Sequence, residues 1–83
     1  MSSYLREARE CAQKIRRHHD YGDTRSYTAA LRSYNRLSEL LYMAGNSKVG
    51  KKDVSEIHHL YLSMKQLMDE MLERDMDFQN KNV

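Results

Sequence analysis

The chain contains no proline, no tryptophan and only three glycines, Gly22, Gly45 and Gly50, in 83 residues. A β-rich domain of this size needs many more turn residues, so their scarcity points to helices joined by few, short connections. Cys11 is the only cysteine, which excludes an intramolecular disulfide and suits a reducing compartment. No apolar run approaches the ~18–20 residues of a membrane-spanning helix, and the start, MSSYLREARE, lacks a signal-peptide core. The expected location is therefore cytoplasmic. Glycine-rich phosphate loops, paired-carboxylate signatures and serine-elbow motifs are not found. A chain this short also has little room for a concave substrate pocket, so the expectation is a non-enzymatic protein without cofactor or metal.

What is present is an even mixture of 40% apolar and 31% charged residues, the balance of a folded domain. The net charge of +2 hides an asymmetry. Residues 21–52 carry six basic and two acidic groups, whereas residues 53–83 carry three and seven. Opposite charge in successive segments favours antiparallel docking within one chain or association between chains.

Three amphipathic segments follow. Helix one, about residues 3–19, carries Leu5, Ala8, Ala12 and Ile15 on one line, with Cys11 beside it and Ser2 or Ser3 as its cap. Helix two, about 24–44, places Tyr27, Ala30, Tyr34, Leu37, Leu41 and Ala44 at steps of 3, 4, 3, 4 and 3. Asp23 is its expected N-cap and Gly45 its expected left-handed terminator. Helix three, about 53–78, opens on an Asp53–Glu56 pair resembling a capping box. Its stripe of Val54, Ile57, Leu60, Tyr61, Met64, Leu67, Met68, Met71 and Leu72 is wider than one neighbouring helix needs, and Leu62 lies outside it. The chain thus reads as an all-α, three-helix, up-down-up antiparallel bundle in a single domain, residues 1–78. Residues 79–83 read as a disordered tail.

Few residues invite chemistry. His18–His19 and His58–His59 are adjacent pairs, and neighbours on a helix diverge by about 100°, so they read as solvated or part-packed rather than as metal ligands. Cys11 reads as a small core residue. The overwide methionine stripe is the informative feature. It predicts a groove between helices two and three that takes a partner's short amphipathic helix, since methionine suits adaptable docking surfaces. The expected contacts are Leu62, Met64 and Met68, with Arg36 or Lys65 pairing with acids of the partner. An alternative reading is a small basic, dimeric regulator that grips nucleic-acid phosphates through Arg25, Arg32 and Arg36. A self-assembling subunit is a third.

The stretch DYGDTRSYTAALRSY, with Asp20, Gly22, Tyr27, Ala30, Leu31 and Tyr34, resembles the microtubule-interacting and trafficking (MIT) domains. Tyr61, Leu62 and Leu72 in helix three, and YLREARECAQK in helix one, fit the same likeness. The resemblance covers most of the chain, but its positions are mainly helix-packing ones. It implies a three-helix module, found on proteins acting with ESCRT machinery, that binds a partner's short helix between helices two and three. A narrower stretch, IRRHHDYGDTRSYTAALRSYNRL, is similar to the small lumenal photosystem II assembly factors. The first helix and lipoprotein signal of those proteins have no counterpart in this sequence.

Overall fold

The computed structural model describes residues 3–22 and 25–81, with side chains to Met76 in the last helix. Three helices, α1 (Ser3–Tyr21), α2 (Ser26–Gly45) and α3 (Lys51–Lys81), make an all-α bundle in which each helix packs against both others. Leu5, Ala8, Cys11, Ala12 and Ile15 of α1 meet Ala30, Leu37, Leu40 and Ala44 of α2 and Ile57, Met64, Met68 and Met71 of α3. The α2 seam therefore packs inside its own chain: Ala30, Leu37 and Ala44 are buried, and Tyr27, Tyr34 and Leu41 pack against the core's edge. Alanines recurring on the inward lines of α1 and α2 let the two backbones approach closely.

The helix ends differ from the sequence expectation, each for a local reason. Asp23, Thr24 and Ser2, expected caps or cap neighbours, lie outside the described residues. The helix α1 continues to Tyr21 and stops at Gly22, whose φ of +67° only glycine adopts without strain. The α1 terminus is sealed from α3: an Arg74 guanidinium nitrogen donates to the His19 carbonyl at 3.1 Å. A side chain on Gly22 would come within 3.4 Å of that guanidinium.

Gly45 does not terminate α2 in a left-handed conformation. Asn46, at φ −103°, and Ser47 close the helix end through hydrogen bonds instead. Asn46 donates its backbone N–H to the Tyr42 and Met43 carbonyls and its Nδ2 to Tyr42 at 2.8 Å, and Ser47 Oγ donates to the Ala44 carbonyl at 3.1 Å. These side chains satisfy the orphan carbonyls that a glycine turn would otherwise satisfy.

At the start of α3, Gly50 supplies the first helical acceptor, with Asp53 and Val54 N–H bonded to its carbonyl at 3.1 and 3.2 Å. Asp53 thus sits inside the first turn, where its carboxylate complements the helix dipole. Glu56 turns away from a capping box and pairs with Arg9 of α1 at 2.7 Å. The helix runs on to Lys81, so residues 79–81 of the expected tail are helical, and residues 82–83 lie outside the described residues. At about 1.5 Å per residue, the 31 residues of α3 extend roughly 46 Å, against about 30 Å for each sibling. Its C-terminal part outruns α1 and draws the molecule to 50 × 18 × 16 Å.

Candidate docking face between α2 and α3

The side of α3 turned to α2 is fixed by three observations. Tyr61 stacks on Tyr34 of α2, with ring centroids 5.3 Å apart and planes inclined by 20°. Val54 and His58 line a cleft with α2. Glu56 and Glu70, by contrast, pair with Arg9 and His19 of α1. At 3.6 residues per turn, Leu62, Lys65, Asp69, Leu72 and Met76 fall within about 80° of one another, next to Tyr61 and away from Glu56 and Glu70. Every one of them is exposed, with Leu62 at 49%, Leu72 at 38% and Met76 at 54%.

The cleft itself opens at the α2–α3 turn and encloses about 720 Å³. Leu41 and Ala44 of α2, Val49 of the turn and Val54 of α3 give it apolar walls, while Lys51, Ser55 and His58 stand at its polar edge. The turn adds one further exposed cation, Lys48. An apolar trough with a basic edge has the chemistry to accept an apolar side chain with acidic flanks, because burial supplies affinity and charge supplies register. In the middle of the helix pair the Tyr34–Tyr61 stack closes the trough. Burial, followed by hydrogen bonding to Tyr61, pushes the Tyr34 hydroxyl well above the ordinary phenol value.

The sequence-expected contacts divide. Leu62 and Lys65 stand exposed beside the α2–α3 side. Met64 and Met68 do not: they are 2% and 3% exposed, because their line on α3 continues Ile57 and Met71 into the core shared with α1 and α2. A docked segment cannot reach them while the bundle is closed. Arg36 is also elsewhere. It lies on the α1 side of α2 and grips Glu7 with two bonds, Nε to Oε1 at 2.8 Å and a terminal nitrogen to Oε2 at 3.2 Å, while its other nitrogen reaches Glu39 at 3.1 Å. That bidentate fork occupies the group that partner acids or phosphates were expected to use.

Arg32 is exposed beside Glu7, Glu10 and Lys14 around a small cleft that also contains Cys11. Arg25 is exposed at the start of α2. Cys11 is 7% exposed, and burial pushes its thiol above the ordinary value, the state of an inert core cysteine. The two histidine pairs sit at opposite ends of the bundle: His19 Nε2 lies 2.6 Å from Glu70, and His58 borders the α2–α3 turn. Among the described residues no cluster of His, Cys, Asp or Glu could hold a metal ion. No described helix is long and apolar enough to cross a membrane.

The bond from Arg36 holds the Glu7 carboxyl below its ordinary value. A depressed carboxyl pKa contributes stability that is present above the unfolded-state value and is lost as pH falls through the folded one. In Arg36→Gln the Glu7 carboxyl is therefore expected to titrate upward, toward the ordinary glutamate value. Carboxyl chemical shifts followed through acid pH measure this, and a Glu7 titration unmoved by the substitution would contradict the assignment.

No known family model, no curated protein and no solved structure matches this chain.

Proposed function

We propose that the chain is a non-enzymatic docking module that takes an acidic, amphipathic helical segment along the α2–α3 side. The observation that supports it most is the open cleft of about 720 Å³ with apolar walls, Lys51 at its edge and Lys48 exposed in the adjoining turn. One apolar anchor of the segment enters between Leu41 and Val54. Its next turns lie over Leu62 and Lys65, one and two turns along α3 from His58. The same mode of docking is what the likeness to MIT domains implies, and that likeness is part of this proposal. The nucleic-acid reading gains nothing from the arrangement of Arg36, whose guanidinium is taken up by Glu7 and Glu39.

A labelled synthetic peptide, helical, with leucines at three- and four-residue spacing and glutamates on its flanks, tests the proposal by fluorescence anisotropy. Lys48→Glu and Lys51→Glu, both at exposed positions, are expected to weaken binding together by roughly tenfold or more, with affinity falling as salt rises. Equal affinity in wild type and in the double variant would overturn the proposed register. Tighter binding of DNA or RNA, lost on Arg25→Ala and Arg32→Ala, would favour the regulator instead.

A further inference from the structure

The exposed residues of α3 on this side are not scattered. Ser55, His58, Leu62, Lys65, Asp69, Leu72 and Met76 follow one another at steps of 3, 4, 3, 4, 3 and 4. All seven are exposed in the isolated chain. This is the spacing of a coiled-coil seam, in which each side chain meets one layer of a facing helix. It runs beside the inward methionine line and is separate from it.

The chemistry of the seam is self-complementary in one direction. When a second α3 is laid antiparallel across a two-fold axis near residue 67, Leu62 meets Leu72 of the other copy. In the same register Lys65 meets Asp69, and His58 meets Met76. The two-fold repeats each pairing, so two Leu–Leu layers and two Lys–Asp pairs form from one patch of surface. A parallel arrangement instead sets Lys65 against Lys65 and Asp69 against Asp69, which repel. The helix α3 is itself an acidic amphipathic segment of the kind the cleft is proposed to take, and Met76 at the far end of its seam is 54% exposed.

We infer that the helix taken up on the α2–α3 side is α3 of a second copy of this chain, giving a two-fold dimer joined by Leu62–Leu72 and Lys65–Asp69 contacts. The inference rests on the docking role proposed above and names its occupant. A single helix pair covers a limited area, so the dimer is in measurable exchange with monomer rather than permanent.

Sedimentation equilibrium of the full chain over a concentration series tests it. Wild type is expected to show a reversible monomer–dimer equilibrium. Lys65→Asp alone and Asp69→Lys alone each place two like-charge pairs at the seam, and each is expected to weaken the dimer by roughly tenfold or more. The double variant Lys65→Asp/Asp69→Lys restores opposite charge in every pair and is expected to recover wild-type association. Both positions are exposed, so neither reversal disturbs the core; circular dichroism of each variant verifies this. A chain that stays monomeric throughout, or a double variant no better than the singles, overturns the inference. Either result does so regardless of whether the acidic peptide binds, so the occupant and the docking role fail separately.

Discussion

Met64→Ala lowers the unfolding free energy by about 2–5 kcal/mol, whereas Leu62→Ala, two positions away on the same helix, changes it by no more than about 0.5 kcal/mol. The difference comes from burial. Met64 is 2% exposed and packed among residues of all three helices, so truncation removes its apolar transfer and leaves a cavity that the close-packed neighbours cannot fill. Leu62 is 49% exposed and surrenders little. For a domain whose total stability is about 5–10 kcal/mol, the first loss is a large share of the whole. Urea denaturation followed by circular dichroism measures both. Equal effects at the two positions would mean that the methionine line is surface and that the helix is rotated from the orientation described above.

Asp75→Leu has the opposite sign and is expected to stabilise the fold by about 1–3 kcal/mol. Asp75 continues the inward line of Ile57, Met64, Met68 and Met71, is 8% exposed, and has one carboxylate oxygen buried with no hydrogen-bond partner. A buried acceptor without a donor forfeits its hydration and gains nothing in return. Leucine matches its size and suits the apolar line. Asp75→Asn keeps a polar head in the same place and is expected to gain less. The midpoint of urea unfolding, measured for wild type and both variants, decides the matter. A destabilised Asp75→Leu would show that the carboxylate has a partner within the native state and that this end of the bundle depends on it.

The architecture was legible in the sequence because core lines leave a periodic trace. The α1 line of Leu5, Ala8, Ala12 and Ile15 is buried as its spacing requires, and the α2 seam turns inward in the same way. Helix ends were less legible. Periodicity says where apolar residues recur, not which of Asn46, Ser47 or Gly45 will satisfy the last carbonyls. Met64 and Met68, expected as contacts, lie on the line of α3 that the core occupies. Nine apolar residues looked like an excess, but a third helix packed against two siblings must bury two faces, and Met64 and Met68 are spent on that task. Arg36 was misplaced because sequence places it on the polar side of α2 without saying which neighbour supplies the counter-charge. Glu7, 29 positions earlier, does so.

Two signals at the candidate face are present and faint. Val49 is an apolar residue inside an otherwise polar turn, which hinted at a wall there. The seam from Ser55 to Met76 has only three apolar members among seven, so a hydrophobicity pattern passes over it. Its regular spacing becomes visible once the exposed residues are known.

The central claim is that the α2–α3 side is an open surface that receives a helix. Backbone amide chemical-shift mapping during titration with the acidic amphipathic peptide tests this most directly. The expected result is a contiguous set of shifted resonances at Leu41, Val49, Val54, His58, Leu62 and Lys65, with Arg9, Lys14 and Arg32 on the α1 side unmoved. Shifts confined to the α1 side, or none at saturating peptide, would contradict it.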